Sequence, residues 1–105
     1  MANIGERVID GARAPAGYEQ LAVAATAISP SSLPAATANR PGATGVLITV
    51  ETAAVRWRDD GVAPTTSVGN PLDPGLPFFY AGDPVNLQFI RSTSVSAVVN
   101  LNYFF

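Results

Sequence analysis

The sequence predicts an all-β fold: one β-sandwich or jelly-roll-like barrel of about seven to eight short antiparallel strands, preceded by an extended N-terminal arm. Three observations carry this. Residues 46–61, VLITVETAAVRWRDDG, read as two strands in succession closed by an Asp-Gly turn. At the other end of the chain, Val95, Ala97, Val99, Leu101 and Tyr103 alternate with the mostly polar set Ser96, Val98, Asn100 and Asn102. Finally, 48% hydrophobic against 13% charged residues argues for an ordered chain, while nine Gly and nine Pro demand many turns between short elements.

A length of 105 residues supports one domain with one modest core. Residues 1–17 show neither sustained alternation nor helical periodicity and end in Ala14-Pro15-Ala16-Gly17, so they are expected as the arm, with the sandwich over residues 18–105. Within YEQLAVAATAI, residues 18–28, a strand would put Leu21, Val23, Ala25 and Ala27 on one face, whereas a helix would stripe Leu21, Ala24, Ala25 and Ile28. Alanine favours the helix, but the Ser29-Pro30-Ser31-Ser32 ending and the turn-rich chain beyond it favour the strand.

Pro34, Pro41, Gly42 and Gly45 make residues 33–45 an irregular crossing between sheets, with one short strand near Ala36. In residues 46–61, Val46, Ile48 and Val50 share one strand face, and Val55 and Trp57 another, with Arg56 and Arg58 turned away. Trp57 is therefore expected as a core anchor between two solvated arginines. Residues 62–75, VAPTTSVGNPLDPG, are a long loop with a short edge strand at Thr66 to Val68. An aromatic strand follows at Leu76 to Tyr80, then a turn at Ala81-Gly82-Asp83-Pro84, then a strand from Val85 to Arg91 with Leu87 and Phe89 on one face. Ile48, Val50, Trp57, Phe89 and Leu101 are the expected structural core.

The chemical inventory excludes several functions. Six Arg, no Lys and eight acidic residues give a net charge of −2, so nothing attracts a phosphate backbone and nucleic-acid binding is not expected. The absence of Cys and His removes thiolate nucleophiles, disulfides, imidazole bases and the usual zinc ligands. Metal ions and cofactors are accordingly not expected. MANIGERVID has neither a basic start nor an apolar stretch of signal-peptide length, and no run approaches the roughly 20 apolar residues of a membrane span. A soluble intracellular product without a membrane partner is expected.

Asp59 and Asp60 are neighbours in sequence, and extended backbone sends such side chains to opposite faces, which suits neither a shared proton nor a glycosidase pair. Turn chemistry with surface pairing to Arg56 or Arg58 is the better account. Ser29, Ser31, Ser32, Thr65, Thr66 and Ser67 have no base to activate them, so they read as turn residues and no enzyme is expected.

The consecutive rings Phe78, Phe79 and Tyr80 occupy both faces of a strand, and Phe79 is the one expected to leave the core for a second surface, as an interface anchor or a sugar-stacking platform. Phe104 and Phe105 end the chain, where fraying favours polar residues, so the protein's own sheet or a neighbouring subunit should cover them. With Ile4, Val8 and Ile9 of the arm, Phe79, Phe104 and Phe105 form the candidate interface set.

ITVETAAVRWRDDG at residues 48–61, APTTSVG at 63–69, AGDPVNLQFIR at 81–91 and NLNYF at 100–104 together resemble the small β-sandwich proteins encoded among the structural genes of tailed bacteriophages. The resemblance covers residues 18–105, rests chiefly on the Arg-Trp-Arg-Asp-Asp-Gly stretch followed by Ala-Pro-Thr, and brings no catalytic residues. Leu72-Asp73-Pro74-Gly75 stands where members often carry a polar, Gly-Asp-rich turn, so contacts of that loop are expected to differ. The resemblance implies a virion component, and the expected location is the capsid surface after assembly in the host cytoplasm. The leading expectation is a decoration or cement protein on the major capsid protein lattice, acting as a symmetric homo-oligomer with a trimer among the candidates. Its 17-residue arm would reach up to about 55 Å onto neighbouring subunits. The alternatives are a carbohydrate- or receptor-binding module of a head fibre or tail, using residues 62–75 with Trp57 or Phe79, and a neck or tail accessory protein.

Overall fold

The alternating apolar residues of the chain can leave water only if two strand faces close on each other, and they do so in two antiparallel sheets. The computed structural model of the chain describes residues 14–32 and 42–105. Its strands are β1 (Pro15–Val23), β2 (Gly45–Glu51), β3 (Val55–Arg58), β4 (Asn70–Leu72), β5 (Phe78–Tyr80), β6 (Gln88–Arg91) and β7 (Ala97–Phe104). One sheet has the order β1-β7-β2-β5 and the other β4-β3-β6. The fold is a small all-β sandwich.

β7 lies inside the four-stranded sheet and organises it. Its register sets Val99 beside both Leu21 and Val50, Leu101 beside Ile48, and Tyr103 beside Val46. These inward side chains, with Val23 and Ala97, meet Val55 and Phe89 from the other sheet, and Leu87 just before β6, in one buried cluster. Burying a Leu, Val or Phe side chain stabilises by about 1.5–3 kcal/mol, and Ile48, Phe89 and Leu101 are wholly inaccessible, with Val50 nearly so. Trp57 differs from its expected place: it is half-buried at the margin, packed against the core between Phe78 and Tyr80.

Several sequence expectations are corrected by how the sheets connect. β1 begins at Pro15, so residues 15–17 belong to the sheet and not to an arm. It stops at Val23 instead of running to Ile28, because residues 24–28 cross to the second sheet, where Ile28 pairs with Phe89. Ala25 is exposed in consequence. Thr66 to Val68 form bends, and the strand partnering β3 is Asn70–Leu72. Pro71 within it is tolerated because β4 is an edge strand that needs no hydrogen bond on its outer side. Val85 belongs to a 3-10 turn capped by Asp83, which accepts from the Val85 N–H at 3.1 Å. Val95 precedes β7 and is exposed.

The step from β2 to β3 carries the chain from one sheet to the other in three residues. Thr52 takes a φ of +82°, and the Ala53 N–H donates to Glu51 O at 3.0 Å across it, a γ-turn geometry that is rare with a β-branched residue at its centre. Ile4, Val8, Ile9 and the strand expected near Ala36 lie outside the described residues.

Candidate interaction face and cleft

Strand alternation leaves the four-stranded sheet with an outer face, and its side chains can be read row by row from the register. One row crosses the whole sheet as Tyr18, Asn102, Leu47 and Phe79. The next holds Gln20, Asn100 and Thr49, and a third holds Ala22, Val98 and Glu51. On the other side of the first row, Phe104 stands opposite Gly45.

The centre of this face is polar and fixed. Asn100 is only 9% exposed although it points away from the core. Its Oδ1 accepts from the Tyr18 phenol at 2.5 Å and from Gln20 Nε2 at 3.0 Å, while its Nδ2 donates to Glu51 Oε2 at 2.6 Å. Three strands are thus cross-linked by one amide, and the side chains they hold cannot rearrange freely.

One end of the face is aromatic. The rings of Phe79 and Phe104 lie 6.0 Å apart, tilted by 56°, and they meet over β2 where Gly45 has no side chain. Phe79 remains 40% exposed, Phe104 is half-buried, and Phe105 is 53% exposed. Phe105 is anchored by its backbone, with its N–H donating to Ala14 O at 2.9 Å. Leu47 and Tyr18 continue the apolar surface along the first row. Glu51 is the one ionisable carboxylate on these rows, so the face is nearly uncharged.

A second feature lies where β3 ends and β4 begins. Arg58, Asp59, Asp60, Val68, Gly69 and Asn70 line an open cleft of about 400 Å³. Asp60 pairs with Arg58, whose Nε donates at 3.0 Å; the Asp60 side chain is exposed and that of Arg58 half-buried. That hydrogen bond holds the Asp60 carboxyl below its ordinary range and raises the Arg58 guanidinium. Asp59 turns the other way and accepts from the Tyr80 phenol at 2.9 Å. The two carboxylates are each committed to a different partner, which leaves no shared-proton geometry. Burial, then the hydrogen bond the phenol donates to Asp59 and the charges of Asp59 and Asp83, push Tyr80 above its usual value.

Arg56, like Trp57, departs from its expected place. It is half-buried, and its Nε donates to Thr66 O at 3.2 Å while Nη1 donates to Gly69 O at 2.9 Å, fixing the loop between β3 and β4. The signal that could have found it is the long proline-bearing loop that follows, whose carbonyls need donors. Trp57 is half-buried and packs against Phe78 and Tyr80, with ring centroids at 5.3 Å and 5.9 Å.

Among the described residues no group of three or more carboxylates gathers around a point where a metal ion would sit, and no helix is long and apolar enough to cross a membrane. No protein-family model, curated protein or solved structure matches the chain.

Proposed function

We propose that the protein is a structural component of a tailed-phage virion, a capsid decoration or cement protein that binds the major capsid protein lattice as a homo-oligomer. Its place in this reading is the capsid surface, reached after assembly in the host cytoplasm. The observation that carries the reading is the aromatic end of the outer sheet face. Phe79, Phe104 and Phe105 stay at the surface while the sandwich interior is filled without them, and large rings with a fixed polar neighbourhood are what protein interfaces use as anchors. The resemblance of residues 48–61 and 81–91 to phage structural proteins, and an inventory without His or Cys, agree with a role that needs surfaces and not chemistry.

The test is reconstitution on purified undecorated capsids. A Phe79→Ser, Phe104→Ser double variant should stay folded and lose at least about tenfold in affinity, as expected for anchors worth more than 1 kcal/mol each. Occupancy equal to wild type would overturn the reading.

The cleft at Asp59, Asp60 and Asn70 favours a second reading, a carbohydrate- or receptor-binding module of a head fibre or tail, because planar polar groups held by neighbours suit sugar hydroxyls. A glycan array separates it from the first. A neck or tail accessory role differs in copy number per virion, which quantitative mass spectrometry of purified particles measures.

A further inference from the structure

A β-sandwich of two open sheets has four edges, and each presents backbone groups that another strand can pair with unless something prevents it. Three of the four are protected here. β5 is three residues long and follows Pro77 directly. β4 is equally short and carries Pro71 at its middle. The outer side of β6 is taken by the crossing segment: Ile28 and Phe89 exchange two backbone hydrogen bonds of 2.8 Å, and the Arg91 N–H donates to Ala24 O at 3.1 Å.

β1 is different. It is the longest strand, nine residues, and it lies at the edge of the four-stranded sheet among the described residues. Pro15 and a bulge between Pro15 and Gly17 protect only its beginning. From residue 18 to residue 23 its register with β7 is regular, and that stretch has no Pro, Lys or Arg. Its single charge, Glu19, is turned into the sandwich at 5% exposure, where it accepts from the Tyr103 phenol, so it does not guard the edge.

We infer that the β1 edge pairs with the β1 edge of a second copy of this chain, antiparallel about Gln20, to make a two-fold dimer with a continuous eight-stranded sheet. The occupant follows from what faces what. In that register Gln20 opposes its own copy, whose amide both donates and accepts, and Tyr18 opposes Ala22. The Tyr18 phenol stays on Asn100 across β7, so nothing bulky stands between the Tyr18 backbone and the small Ala22 side chain of the copy. No like charges meet, which an isologous contact requires because every residue on the axis confronts itself. Such a dimer places two Phe79 and Phe104 clusters on one face of one sheet, a bivalent surface. The dimer stands on the edge comparison alone and holds whether or not the capsid reading does.

Sedimentation of the full chain from micromolar to submillimolar concentration should give twice the 10.9 kDa chain mass. A Gln20→Lys, Ala22→Lys variant keeps a nitrogen donor for Asn100 but sets like charges across the axis, so it should dissociate about tenfold more readily or worse while retaining the native far-UV spectrum. Since the chain has no Cys, mild oxidation of a Gln20→Cys variant should give one covalent dimer at near-stoichiometric yield. A monomer throughout the concentration range, a trimer, association unchanged in the double-lysine variant, or Gln20→Cys chains that fail to cross-link would each overturn the inference.

Discussion

The phenol of Tyr103, on β7, donates to Glu19 Oε1 on β1 at 2.6 Å, joining residues 84 apart in sequence inside the sandwich. Both are nearly inaccessible, at 1% and 5% exposure. A buried carboxyl group is costly unless donors reach it, and the Tyr103 phenol is one donor that does. Tyr103→Phe keeps the ring and removes one donor to a buried carboxyl group, with an expected loss of about 1–3 kcal/mol in urea unfolding. A loss below half a kcal/mol would show that the phenol contributes nothing to holding Glu19.

Gly69 and Gly61 both have positive φ, at +141° and +82°, but their surroundings differ. A Cβ on Gly61 would meet nothing within 4 Å, whereas one on Gly69 would stand 3.1 Å from the Cβ atoms of Arg56 and Pro64 and 3.3 Å from Trp57 O. Those neighbours are stem and backbone atoms that cannot swing aside. Gly61→Ala should cost about 1 kcal/mol for its backbone conformation, and Gly69→Ala a further 1–3 kcal/mol or so for overpacking. Thermal unfolding reads the difference directly, since 1 kcal/mol moves Tm by about 4–8 °C in a domain of this size. Equal midpoints would mean that the loop yields at Gly69.

Thr52 is the reverse case, a β-branched residue where glycine belongs. Its φ of +82° costs on the order of 1–3 kcal/mol, and glycine would return most of that at an entropic cost of about 0.5–1 kcal/mol. Thr52→Gly should therefore raise stability by about 1 kcal/mol. A lower Tm in the variant would mean that the Thr52 side chain makes a contact worth more than the strain.

How far the fold could be read from residues depended on what decided each element. β7 was legible because a strand inside a sheet with one face on the core must alternate, and Ala97, Val99, Leu101 and Tyr103 do. The end of β1 was not, since Ala25 and Ala27 continue the pattern of Leu21 and Val23 while the chain has already left for the other sheet. Thr66 to Val68 have the residue types of a strand and Asn70–Leu72 do not, yet Val55 and Trp57 pair with Leu72 and Asn70. There tertiary pairing overrode local preference. On the outer face, Phe79 was singled out by its position between two other rings, a purely local signal. The Asn100 network was invisible because it depends on three strands meeting in one register, and nothing local marks Tyr18, Gln20 and Glu51 as partners of one amide.

Tyr80 gives the fold a titration in the alkaline range. Burial first, then its bond to Asp59 and the charges of Asp59 and Asp83, raise the phenol above its ordinary value in the folded chain. In the unfolded chain the same group ionises near about pH 10. With the folded value raised, the unfolded state releases its proton first, so stability is fully present below that pH and falls as pH rises from there through the folded value. Tyr80→Phe cannot ionise, so its stability should decline less steeply than wild type above about pH 10, at a cost of about 0.5–1.5 kcal/mol near neutrality for the lost bond to Asp59. Urea midpoints followed from neutral to strongly alkaline pH measure both effects. Curves that stay parallel above the phenol range would show that Tyr80 is as free to ionise in the folded sandwich as in the open chain.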